Sequence, residues 1–267
     1  MKVLKDGTYY GSMNTERRFN GLIISEYDYL IERTDWHYHE NPYFMYVLEG
    51  SLYDVNKKQK TPCPAGTFLL HNWQEAHFNS KESKNARGFH IEFEQSWFEK
   101  NELATDLWEG SKLIKNPMLH HILARIYSEF RFSDEYSIIS CELLLAELCD
   151  NLEKEKIYHV EEKPSWLNML LEIIHHDNGP INLASLSKKV GVHPGHISRS
   201  VPKYFSTTLG DYIRQIKIKS SIELLLSTKK SLTDISYECG FSDQSHFIRT
   251  FKAYIGISPG HFLKKCR

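Results

Sequence analysis

An α+β fold is predicted for this chain, with strands first and helices after. Three observations carry that reading. Segments rich in β-branched and aromatic residues fill about the first 95 positions, helical periodicity begins near Ser96, and the last hundred residues contain one helix-turn-helix pattern twice. The charge is also divided. Residues 1–159 hold 18 Lys and Arg against 25 Asp and Glu, a net −7, whereas residues 160–267 hold 15 against 9, a net +6. An acidic first part and a basic last part point to two domains, the second with a polyanionic partner.

The segments "GLIISEYDYLIER", "YFMYVLEGSLYDV" and "GTFLLHN" read as strands, punctuated by Gly50, Pro62, Pro64, Gly66 and Gly88. Short strands at this spacing predict a small barrel or sandwich over residues 1–95. Residues 96–155 then read as helical. Met118, Ile122, Ile126 and Phe130 fall on one helix face, and Ile138, Cys141, Leu144, Leu145, Leu148 and Leu152 on another. These two helices could form a dimer seam. "EKEKIYHVEEKP" carries charge and little apolar content, and is expected to link them to a helical domain over residues 164–267.

Composition limits the function classes. Hydrophobic residues make up 41% and charged residues 25%, enough for a packed core and against disorder. The five cysteines, Cys63, Cys141, Cys149, Cys239 and Cys266, form no C-x-x-C pair, which disfavours a disulfide framework or structural zinc and fits a reducing compartment. "MKVLKDGTYY" has no apolar stretch of the secretory kind, and no apolar run reaches membrane-spanning length. The expected location is the cytoplasm. No nucleophile–base pattern or glycine-rich phosphate loop occurs, so no catalytic residues and no cofactor are expected. The pairs His120-His121 and His175-His176 point their rings about 100° apart on a helix, which suits packing or surface better than chelation.

The repeat in the last part has a period of about fifty residues. Leu186 matches Ile235 and Gly191 matches Gly240. After a one-residue offset, His196 matches His246, Ile197 Phe247, Arg199 Arg249 and Val201 Phe251. Each copy is a short amphipathic helix, a glycine turn and a second helix. Asn182 is placed to cap the first helix, Gly191 to end it in the left-handed conformation, and Pro194 to occupy the first turn of the next. In the second copy Leu232, Ile235 and Cys239 face inward, and Ser242 or Asp243 opens the second helix. "GDYIRQIKIKSSIELLLST" reads as one long helix between the copies.

This layout resembles the AraC/XylS family of transcription regulators. The resemblance rests on the paired units, the connecting helix and "ISYECGFSDQSHFIRTFKAYIGISPGHF", over about residues 165–265. It implies a seven-helix DNA-binding domain with two recognition helices in successive major-groove segments. By motif position Gly195, His196, Ser198 and Arg199 in the first, and Gln244, Ser245, His246 and Arg249 in the second, would lie toward bases. Arginine can bond guanine bidentately, and glutamine adenine. Lys203, Thr250 and Lys252 would contact phosphates. Two positions depart from the family pattern. Pro202 falls inside the first recognition helix, where it is expected to end or kink it. Ser206 replaces a usual glycine.

The strand-rich part resembles a cupin barrel, through "HYHENPYFMYVLEGSL" and "PAGTFLLHNWQEAHF". The resemblance implies a pocket for a small-molecule effector, lined by His37, His39, His77 and aromatics such as Trp36, Tyr43, Tyr46 and Trp73. Metal-binding cupins place a glutamate where Tyr43 and Phe44 stand, and strand alternation turns Glu40 outward. No metal is therefore expected, although three histidines alone could hold zinc or iron. The expected function is a sequence-specific regulator, in the manner of an activator. Its expected partners are duplex promoter DNA, the effector and a second copy, with RNA polymerase a further candidate and no membrane. The alternatives are a metal-dependent cupin enzyme with a basic helical appendage, and a ligand-independent regulator with a purely dimerising barrel.

Overall fold

Alternation of side chains governs the first half of the chain. In the computed structural model, which describes residues 1–72, 75–101, 110–132, 134–158, 164–176 and 181–266, the expected strands form two sheets. One has the order β1 (Lys2–Leu4), β4 (His37–His39), β9 (His77–Lys81), β6 (Ser51–Asn56), β7 (Lys60–Pro64). The other has the order β11 (Lys112–Leu113), β8 (Phe68–His71), β5 (Tyr43–Glu49), β10 (Arg87–Phe93), β3 (Leu22–Asp28), β2 (Ser12–Phe19). The expected barrel is thus two sheets packed face to face rather than one closed hydrogen-bonded ring. The strands also continue past residue 95, because β11 pairs with β8 through Lys112 opposite Leu70.

Between the sheets, Tyr43, Met45, Val47, Leu52, Cys63 and Leu69 form an apolar cluster. The opposite face of the second sheet carries Phe44, Phe89 and Phe93. Phe89 packs on Tyr127 and Phe130 of helix α2 (Pro117–Phe132), and Phe93 on Trp97 of helix α1 (Gln95–Asn101). This face also holds a buried ionic cluster. The Glu26 carboxylate, 1% exposed, accepts from Tyr127 Oη at 3.0 Å and Arg131 Nη1 at 3.1 Å, with Arg87 Nη1 at 3.4 Å.

The chain divides into two compact units. The first comprises Met1–Asn116, Ile126–Glu142 and Cys266, the second Pro117–Arg125 and Leu143–Lys265. By this division residues 96–155 fall partly in each unit. In helix α3 (Ser137–Tyr158), Cys141, Leu144, Leu145 and Leu148 are buried as the periodicity predicts, but Ile138 is exposed. His120 and His121 are both buried, the latter with Nε2 2.9 Å from the Gln215 carbonyl, whereas His175 is exposed.

Among the described residues from 164 onward there are seven helices: α4 (Ser165–His176), α5 (Leu183–Val190), α6 (Pro194–Phe205), α7 (Leu209–Ser227), α8 (Leu232–Glu238), α9 (Gln244–Ile255) and α10 (Pro259–Cys266). The α4–α6 core is Leu167, Leu170, Ile174, Leu186, Ile197 and Val201, closed by Tyr212 and Ile216 of α7. The second copy is built around Phe241, Phe247, Phe251 and Phe262, whose rings meet in sequence at 5.2–5.7 Å.

Pro202 does not end its helix, for α6 continues to Phe205. A proline removes the bond to the carbonyl four residues back, here that of Ser198. Ser198 lies on the exposed side, where water can take the lost bond, and the adjacent Val201 is fully buried. Helix α6 then closes through Ser206, a residue with a side chain held in the left-handed region at φ 52°, its N–H donating to the Pro202 carbonyl at 3.0 Å.

Two stability outcomes are expected. Glu26→Ala deprives Arg87, Arg131 and Tyr127 of a shared acceptor and should destabilise the first unit by about 3 kcal/mol in urea unfolding. Ser206→Gly removes the left-handed penalty and should raise the stability of the second unit by about 1 kcal/mol, read as an increased melting temperature.

Candidate functional site

Local sequence explains both helix-turn-helix copies. Asn182 Oδ1 accepts from Ser185 N at 2.8 Å and starts α5. Gly191, at φ 69°, ends it. Pro194 occupies the first turn of α6, and His193 Nδ1 accepts from Gly195 N at 3.2 Å. In the second copy Ser231 and Asp234 form a reciprocal capping box on α8. Gly240, at φ 71°, makes the turn, and Asp243 Oδ1 accepts from His246 N at 2.7 Å to start α9. Between the copies, α7 has 19 residues, about 28 Å of rigid spacer.

The second helix of each copy buries one stripe and exposes the other. In α6, Ile197, Ser200 and Val201 are buried while His196, Ser198, Arg199 and Lys203 are exposed. In α9, Phe247, Thr250, Phe251 and Ile255 are buried while Ser245, Arg249 and Lys252 are exposed. Arg199 Nε donates to the Gly195 carbonyl at 3.0 Å, which holds the guanidinium along the first turn. Neither Arg199 nor Arg249 has a carboxylate partner within ion-pair distance among the described residues.

A family model described as a helix-turn-helix domain matches residues 186–265, which spans both copies. The Msm operon regulatory protein of Streptococcus mutans is 32% identical over 119 residues, 43% of this chain and 43% of that protein. The transcriptional activator RhaS of Escherichia coli is 26% identical over 143 residues, 53% of this chain and 51% of that protein. Residues 186–265 are thus a helix-turn-helix domain by sequence. The chain spans about half the length of the curated relatives it matches. Among solved structures, ToxT of Vibrio cholerae aligns over 92% of this chain and 98% of its own, at 14% identity and a TM-score of 0.39.

Within the helix-turn-helix domain, several expected contact residues have other local partners. Thr250 is 9% exposed and sits on the core stripe of α9. His246 is half-buried, its ring against Phe241 and its Nδ1 3.0 Å from Ser242 Oγ. Gln244 accepts through Oε1 from Thr233 Oγ1 at 2.7 Å. His196 lies beside Trp166, with Nε2 3.3 Å from Ser200 Oγ. Gly195 is half-buried.

The first unit holds a second candidate site, a cavity of about 30 Å³ between the sheets. Tyr9, Tyr29, Tyr43, His37, His39 and His90 are among its walls. Of the expected pocket residues, His37 and His39 line it, and His77 stands directly behind, its ring 4.4 Å from that of His37. Tyr46 faces the other side of the sheet, because residues at odd and even positions of β5 part company. Trp36 is 38% exposed and packs on Phe78 instead. Trp73 lies outside the described residues.

Four groups escape a reading by spacing alone. His71, His90, Asp54 and Glu92 all point between the sheets. Their signal is alternation: "RGFHIEF" places Phe89, Ile91 and Phe93 on one face and His90 and Glu92 on the other. Glu92 accepts from Asn41 Nδ2, Gly7 N and Tyr9 Oη at 2.9–3.1 Å. His90 meets Tyr29 Oη through Nε2 at 2.8 Å and stacks on Tyr9.

Burial decides the charge state of this cluster. Desolvation lowers the His71, His77 and His90 imidazoles to about 3, and that of His39 well below its ordinary value. It raises the carboxyls of Asp54 and Glu92. An imidazole lowered from 6.5 binds fewer protons folded than unfolded, so its stabilising effect is complete above 6.5 and lost as the pH falls. Asp54 and Glu92, raised by burial, act in the opposite sense at lower pH. Urea midpoints of the full chain should therefore fall as the pH drops from neutrality through the ordinary histidine range, and His90→Phe should flatten that slope.

Proposed function

We propose that the chain is a sequence-specific, DNA-binding transcription regulator whose first unit takes a small-molecule effector in the cavity between its sheets. The observation that carries the reading is the pair of matched second helices, each capped at its start and each exposing an arginine at the equivalent position, Arg199 and Arg249. Arg249, Ser245 and Gln244 are assigned to base edges and Lys252 to phosphate. In the first copy Arg199, Ser198 and His196 are assigned to bases, with Gly195 allowing close approach, and Lys203 to phosphate. His246, packed on Phe241, is assigned to positioning the start of α9.

The regulator is assigned as an activator without catalytic activity, working with RNA polymerase. Five buried free cysteines support a reducing, cytoplasmic setting. No helix among the described residues is long and apolar enough to cross a membrane. A second copy is the expected partner of α3, whose outer side shows Ile139 at 58% and Leu143 at 67% exposure, one turn apart.

Selection from a random duplex library, followed by titration at several salt concentrations, tests the DNA reading. Affinity should fall steeply with salt. Arg249→Ala should cost about 1–3 kcal/mol and relax preference at one base position, whereas Lys252→Ala should weaken all sequences alike. Unchanged binding by Arg249→Ala would remove the assignment of α9. Leu143→Lys should shift the chain toward monomer in sedimentation equilibrium.

A further inference from the structure

The cluster between the sheets contains a set of donors that neither the cavity nor the DNA-binding surface uses. Asp54 of β6, His71 of β8 and His77 of β9 are 3%, 1% and 1% exposed. One ligand-type atom from each lies within 4.8 Å of the other two. From this geometry we propose that Asp54, His71 and His77 bind a divalent first-row transition-metal ion.

Hydrogen bonds fix which ring nitrogens face the site. His77 Nδ1 lies 3.0 Å from the Glu75 carbonyl. A carbonyl only accepts, so that nitrogen carries the proton and Nε2 keeps its lone pair. The Ser111 hydroxyl donates its one proton to Glu75 Oε2 at 2.6 Å and therefore accepts from His71 Nδ1 at 3.2 Å. His71 Nε2 is left with a lone pair too. It is buried with no hydrogen-bond partner, and it faces Asp54 Oδ2 at 3.5 Å. Metal-bound histidines are held in this way, by donating the distal N–H to a carbonyl or to a carboxylate relay.

The 3.5 Å contact is the deciding distance. A proton shared between oxygen and nitrogen would draw them to roughly 2.7–3.0 Å. Two ligands of one tetrahedral ion, with bonds of about 2.0–2.1 Å, stand roughly 3.3 Å apart. A carboxylate facing an imidazole lone pair in a buried setting calls for a cation between them. Asn79 Nδ2 donates to Asp54 Oδ2 at 3.1 Å and orients the carboxylate. Tyr43 Oη, 3.3 Å from His77 Nε2, offers a fourth ligand atom.

His37, His39 and His77 form a second set of three. His77 Nε2 has one lone pair, so the two sets exclude each other. The Asp54 set supplies negative charge, and hydrogen bonds fix both of its imidazoles. In the other set His39 Nδ1 is buried without a partner, and nothing fixes which nitrogen it presents. Two imidazoles and a carboxylate suit zinc or ferrous iron. The site stands whether or not the chain binds DNA.

The test uses the untagged full-length chain, stripped with chelator and titrated with Zn²⁺ and Co²⁺. About one ion per chain is expected, with a rise in melting temperature on Zn²⁺ addition. Asp54→Asn and His71→Gln should abolish stoichiometric binding. Ser111→Ala, which only loosens His71, should weaken it about 10-fold, and His39→Ala should leave it unchanged. Zinc-edge X-ray absorption on the unsubstituted chain reads the ligands directly, so the outcome does not depend on the variants folding. Two imidazoles and a carboxylate oxygen are expected. Three imidazoles, loss of binding in His39→Ala but not in Asp54→Asn, or no ion above background would overturn the proposal.

Discussion

Strand alternation is the constraint on which the first unit depends. A pleated strand sends successive side chains to opposite faces, so each residue of β4, β5, β6, β8 and β10 is committed to the space between the sheets or to the far side. On the far side of the second sheet the commitment is apolar and aromatic, with Phe44, Phe89 and Phe93 under the helices. Between the sheets it is mixed. Tyr43, Met45, Val47 and Leu69 close one zone, while His37, His39, His71, His77, His90, Asp54 and Glu92 fill another. A one-residue slip in any of these strands would exchange the two sets, which makes register and site chemistry the same property.

A polar interior is costly unless its atoms are paired. Here much of the pairing comes from the backbone: the carbonyls of Asp35 and Glu75 hold His37 and His77, and the amide of Gly7 holds Glu92. These bonds orient the rings without charging them, and burial keeps the imidazoles neutral. The result is a set of pre-aimed lone pairs beside a small cavity, an arrangement suited to recognition. The second unit solves a different problem. Its short helices cannot stand alone in water, so each copy leans on α7 and on its own caps, and the exposed stripes of α6 and α9 are left free of core duties.

Much of this was legible in the residues. The two copies, their caps at Asn182 and Asp243, the glycine turns and the long connecting helix follow from local rules, and they appear where those rules put them. Pro202 is the exception. Local physics predicts an early end or a kink in α6; the helix runs on to Phe205, because Val201 and Ile197 are locked into the core while the carbonyl that loses its partner is on the wet side. Thr250 shows the converse: its position in the motif resembles a phosphate contact, and its side chain lies on the buried stripe. In the first unit His37 and His39 line the cavity, whereas Tyr46 and Trp36 lie away from it, because aromatic character does not say which face of a strand a residue takes.

The sequence by itself determined what is local. Periodicity, caps and turn glycines set the order of strands and helices, and the repeat set two helix-turn-helix units in a basic domain. Tertiary structure decided what is shared between distant segments. Asp54, His71 and His77 belong to three strands, and no spacing in the chain links them. Only the facing of two sheets brings a carboxylate to 3.5 Å from an imidazole, because the distance between strands from different sheets is fixed by packing across the interior and not by the chain that connects them.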